Sequence, residues 1–164
     1  MAKNADPPSV RVQNSLQQLK HAAVDLNTVS DELGKPIDEI NKEVTKLNLG
    51  VTTWVKMSSG NHEYAPEIWW SHDIGYAKVG GKWGIALADR SGDATDPEGD
   101  QEEVWLFSDA PRWLRIMGVE HVPALLEKLV AESNKTVEQV KSKVAIAKDL
   151  AGALHGNAGQ PRQK

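Results

Sequence analysis

The chain has no cysteine. Disulfides, thiolate metal sites and cysteine nucleophiles are therefore excluded. No stretch reaches the roughly 18 apolar, uncharged residues of a membrane-crossing helix, and Met1 to Ser9 lack the apolar core of a signal peptide. A surplus of positive charge is also missing: 19 Lys and Arg stand against 23 Asp and Glu, for a net charge of −4. Non-specific binding to nucleic acid depends on a cationic surface that displaces counterions, so nucleic acid is not the partner this composition suggests. Glycine-rich phosphate loops, Walker-type loops and Gly-x-Ser-x-Gly elbows do not occur, and no cofactor is expected. A soluble cytoplasmic protein is the expectation.

What is present suffices for one packed domain. The length is 164 residues, 40% of them hydrophobic and 26% charged, which permits a core and argues against wholesale disorder. Residues 1–8, with Pro7-Pro8, and residues 155–164 lack periodicity and read as disordered tails. Between them the pattern gives a helix over 9–48, a strand-rich meander over 50–107 and helices over 109–154. The fold class is α+β, a four-stranded antiparallel β-meander flanked by long heptad-patterned helices.

Both helical thirds carry an apolar seam. Val12, Leu16, Leu19, Ala23, Leu26, Ser30, Leu33, Ile37, Ile40, Val44 and Leu47 follow one another in steps of four and three, the spacing that keeps one helix face toward a partner. Gly34-Lys35-Pro36 interrupts the run, and Pro36 removes a backbone donor. The phase survives the interruption, which favours one bent helix over two separate ones. Gly50 suits a left-handed cap after it. Ser108 or Asp109 is placed to cap the next helix, with Pro111 in its first turn. A last helix starts near Val122 with a second seam, Leu126, Val130, Ser133, Val137, Val140, Val144, Ala147, Ala151 and Leu154. The two seams suit an intramolecular antiparallel pair, self-association, or both.

The centre alternates like strands. Val51, Thr53, Val55 and Met57 predict a strand over 50–58. Ile68–Val79 and Lys82–Arg90, joined by Gly80-Gly81, predict a two-residue hairpin of the primed type. Its register sets Trp83, Ile85, Leu87 and Asp89 opposite Lys78, Tyr76, Ile74 and His72 on one bulky face. The other face carries Gly84, Ala86 and Ala88 opposite Ala77, Gly75 and Asp73, a bald surface suited to a packed helix. Ser59–Pro66 and Ser91–Gln101 read as loops. Glu102–Phe107 reads as a fourth strand that is inner or well covered, because it is apolar on both faces.

Six tryptophans against two tyrosines and one phenylalanine is an unusual balance. Adjacent Trp69 and Trp70 must point to opposite faces of their strand, so the sheet is covered twice or one of them is exposed. His72 faces Asp89 across the hairpin, and a carboxylate beside an imidazole is the geometry of a general-base pair, although no serine is fixed near it by sequence. His62, Glu63, Glu67 and Asp73 do not have metal-ligand spacing, and the acidic segment after Asp89 lacks the glycine of a calcium loop. No metal site is expected. Arg112 and Arg115 share a helix face near a helix N-terminus, where an anion would be favoured.

No set of nucleophile, base and oxyanion donors assembles from the sequence. The leading expectation is a small binding protein, more a binder than an enzyme. It self-associates through its long helices and recognises a protein or small ligand at the loop end of the sheet, with Trp69, Trp70, His72, Asp89, Arg112 and Arg115 as candidate contacts. The alternatives are a hydrolase centred on His72 and Asp89, or a binder of small anionic ligands such as nucleotides at Arg112 and Arg115.

Overall fold

The computed structural model describes residues 7–156. What remains of the two predicted tails lies outside the described residues. The elements are α1 (Pro8–Lys46), β1 (Thr53–His62), β2 (Ala65–Val79), β3 (Lys82–Asp93), β4 (Asp96–Leu106), a 3-10 turn (Phe107–Asp109), α2 (Arg112–Val119) and α3 (Val122–Gly156). The strands form one antiparallel sheet in the order β1-β2-β3-β4. This is the α+β architecture expected from the patterning.

α1 is continuous through Pro36. It ends as Asn48 and then Gly50 take positive φ, so Asn48 reverses the chain before the glycine does. Pro111 itself is the N-cap residue of α2 and no side chain caps that helix. Ser108 instead donates to Asp38 of α1, at 2.6 Å.

The β2–β3 hairpin has the expected register, with Ile74 opposite Leu87 and His72 opposite Asp89. Gly80 and Gly81 both have positive φ, as a type I′ turn requires. The two long loops are absent. β1 continues to His62 and β2 begins at Ala65, while β3 reaches Asp93 and β4 begins at Asp96. Their Gly, Asp and Pro residues are weak strand formers, but Ser59, Gly60 and Asn61 pair with Ser71, Trp70 and Trp69, and Ser91 and Asp93 with Gln101 and Asp96, which holds the backbone extended.

The helices choose the bulky face. Ile74, Tyr76, Ile85 and Leu87 form one core with Ile37 and Val44 of α1, Leu114 of α2, and Val122, Leu125 and Leu129 of α3. Gly118 lets α2 approach Leu87, whose Cδ2 would lie 2.9 Å from a Cβ there. The bald face, expected to seat a helix, is covered by the sheet itself. The Trp54 ring lies over Gly75, and the Arg90 guanidinium lies 4.6 Å from the centre of that ring. Arg90 also pairs with buried Asp73 at 2.8 Å and with Glu102 of β4. β4 is an edge strand, not an inner one. It is apolar on both faces near its end because Trp105 joins the helix-side core while Val104 and Leu106 lie opposite Ala88 and Ala86.

Two outward-facing backbone groups are closed by helix side chains. Asn41 of α1 accepts from the Ile85 N–H beyond the end of β4, at 2.8 Å, and Lys128 of α3 donates to the Trp54 carbonyl of β1, at 2.6 Å. Farther out, α1 is exposed from Pro8 to Val29 and α3 from Val137 to Leu154. The predicted pairing of α1 with α3 along both seams is not formed. The helices approach near Val44, Leu47, Leu126 and Val130, and the distal halves of the described helices stand away from the core as two arms.

Candidate functional site

A row of polar side chains crosses the helix-side face where the core ends. Ser58 of β1 pairs with His72 of β2, and His72 with Asp89 of β3. A β-bulge creates the first of these pairings. Thr53 to Lys56 pair in one register with β2, Met57 is the extra residue, and from Ser58 onward the register is shifted by one. In an unbroken ladder Met57 would face His72 and Ser58 would point to the opposite face. Bulges of this kind re-aim side chains. Here both Met57, which packs against the core, and Ser58 lie on the helix side.

Ser58 Oγ lies 2.9 Å from His72 Nδ1 and 3.4 Å from Met117 Sδ of α2. His72 Nε2 is 3.5 Å from Asp89 Oδ1, a charge–dipole contact longer than a good hydrogen bond. That carboxylate favours a proton on Nε2. The Nδ1 lone pair then faces Ser58, which becomes the donor. The imidazole is flanked by two tryptophans, Trp70 at 4.8 Å and Trp113 of α2 at 4.9 Å between ring centres. Both are partly open to solvent, at 37% and 46%. The His72 side chain is itself only 18% exposed.

The candidate residues thus separate into groups. Trp70, His72 and Asp89 come together, and the structure adds Ser58, Trp113 and Met117 to them. Trp69 lies on the other face, its ring over Gly92. Trp70 lies over Gly60, and each member of the Trp69-Trp70 pair therefore covers a glycine on the strand beside it. Compared with models of known families, with curated proteins and with solved structures, the chain matches none. The arrangement has to be read from its own chemistry.

Arg112 is turned toward α1, where its Nη2 donates to Asn27 Oδ1 at 2.7 Å. The Nε atoms of Arg112 and Arg115 are buried without a hydrogen-bond partner. Among the described residues, no three His, Asp or Glu side chains gather as they would around a metal ion, and no helix is long and apolar enough to cross a membrane. At the far tip of β3, Thr95 donates through its N–H and its hydroxyl to Asp93. These bonds hold the Asp93 carboxyl below its ordinary value of 3.8.

Sequence reasoning missed Ser58, and it missed Trp113 and Met117 as its neighbours around His72. The alternation Val51, Thr53, Val55, Met57 points to Met57 as the inward residue, and nothing in the composition marks the bulge. The only signal was the polar pair Ser58-Ser59 at the end of an otherwise apolar strand.

Proposed function

We propose that this is a cytoplasmic protein that self-associates through its two helical arms, each copy contributing one Trp- and His-lined recognition site at the sheet. The observation that carries the reading is the exposure of the distal seams. Leu16, Leu19 and Leu26 on α1 are exposed by 50–63%, and Val137, Val140 and Val144 on α3 by 46–55%. In proteins most helical stability comes from packing an amphipathic face rather than from propensity.

The occupant that fits both seams is a second copy of this chain. The total accessible surface is 12422 Å², against roughly 8,000 Å² for a compact protein of this size. The difference exceeds the roughly 800 Å² that each partner of a stable pair contributes. Charge and size favour α1 against the partner's α3. Lys141, Lys143 and Lys148 flank the α3 seam, so two α3 helices would set lysine against lysine. The α1 seam is flanked mainly by neutral residues such as Gln13, Ser15 and Asn27. Its leucines are complementary in volume to the small Val and Ala residues of α3.

Light scattering over the micromolar range tests the reading. A dimer or larger species is expected, converted to monomer by Leu19→Glu with Leu26→Glu while the near-ultraviolet signal of the tryptophans is unchanged. A strict monomer at high micromolar concentration would overturn it.

A further inference from the structure

We propose that Ser58 is an acyl-accepting nucleophile, activated by His72 and Asp89, and that its substrates are aryl or similarly activated esters. The inference deepens the recognition site above by naming its chemistry and does not depend on the arms. Three features carry it. The bulge at Met57 aims Ser58 at His72. The Asp89 carboxylate, 3.5 Å from Nε2 on the far side of the ring, favours the tautomer in which Nδ1 can take the Ser58 proton. Trp70 and Trp113 flank the imidazole with partly exposed rings, surfaces on which an aromatic leaving group can stack.

The step balances without any further reagent. Ser58 Oγ attacks the ester carbonyl carbon as its proton passes to His72 Nδ1, and Asp89 stabilises the imidazolium that forms. Collapse of the tetrahedral intermediate breaks the bond to the alcohol oxygen, which leaves with the proton from Nδ1. The products are the free alcohol and Ser58 esterified by the acyl group. Water attacking the same carbonyl, with His72 again as base, returns the serine and releases the acid.

Met117 makes the proposal distinguishable from a structural role for the row. Its Sδ competes with His72 Nδ1 for the single Ser58 hydrogen. Met117→Leu removes that competitor and leaves His72 as the serine's acceptor. A Ser58–His72 bond that only joins two strands gives no reason for faster acylation in this variant.

The experiment uses the full chain with p-nitrophenyl acetate and, separately, a fluorophosphonate probe, read by peptide mass mapping. One acyl or phosphonyl group on Ser58 is expected. Its rate should fall at least about a hundredfold in His72→Asn, the lower end of what a general base contributes, fall less in Asp89→Asn, and rise in Met117→Leu. Ser58→Ala should carry no label at this peptide while keeping its near-ultraviolet signal. If Ser58→Ala does not fold, Asp89→Asn and Met117→Leu still decide the matter. Label confined to lysines, or Ser58 labelling indifferent to His72→Asn and Met117→Leu, would overturn the proposal. Neither result bears on the mass of the assembly, which tests the arms separately.

Discussion

The head and the arms are built from the same aliphatic residues, placed in opposite circumstances. Ile74, Leu87, Leu114 and Leu125 are fully buried where sheet and helices meet, whereas Leu19 on α1 and Leu150 on α3 are exposed by 63% and 66%. Regular spacing identifies a face that can be buried, but not the surface that buries it. In the head the partner is supplied by the same chain. On the arms the seam is equally regular, and its partner is proposed to be another copy.

The largest expected effects separate the two regions. Leu114→Ala in the head should cost about 2–5 kcal/mol by loss of packing and creation of a cavity, read as a lower denaturant midpoint. Leu19→Ala on the arm should change unfolding of the dilute head by less than about 0.5 kcal/mol while weakening association. Equal midpoints for the two variants would erase the distinction between head and arm. Next in size is Arg90→Ala. It leaves the buried Asp73 carboxylate with Ser71 as its remaining side-chain partner, and should cost roughly 2–3 kcal/mol.

The same replacement should act in opposite directions on the two regions. A Cβ on Gly75 would strike the Trp54 ring, so Gly75→Ala should destabilise the head by about 1–3 kcal/mol of overpacking. A Cβ on Gly152 of α3 meets nothing within 4 Å. Gly152→Ala should therefore stabilise that helix by about 0.5–1 kcal/mol, visible as added helicity. The smallest effect is expected at the tip of β3. Thr95→Val removes a hydroxyl donor and should move the Asp93 titration upward toward 3.8, as followed by NMR. Because the folded state lowers this pKa, its contribution is complete above the unfolded value and fades as pH falls through the folded one. The variant should accordingly lose a little of its stability above pH 4 and almost none in stronger acid.

The β2–β3 hairpin was legible because a two-glycine turn pins its register residue by residue. The β1–β2 ladder was not, since it slips at Met57 and again beyond Asn61, and a slip of one residue exchanges the faces. This is why His72 and Asp89 were readable as a pair while Ser58 was not. The bald face was read correctly as sparse but assigned the wrong cover. Trp54 and Arg90 reach across from neighbouring positions on the sheet, and alternation within a strand does not reveal such reach. The separation of the two long helices was likewise hidden, because a seam looks the same whether its partner is in the same chain or outside it.

The exposed part of β4 carries Asp96, Glu98, Asp100, Glu102 and Glu103 along the outer strand. Two such borders brought side by side would repel, so a second sheet cannot readily extend this one into a growing ribbon. Asn41 and Lys128 already occupy backbone groups at other points of the periphery. Fibrillar stacking is thus disfavoured in a chain that nonetheless exposes much apolar surface, and concentrated solutions should grow by discrete helical contacts instead of by endless strand addition.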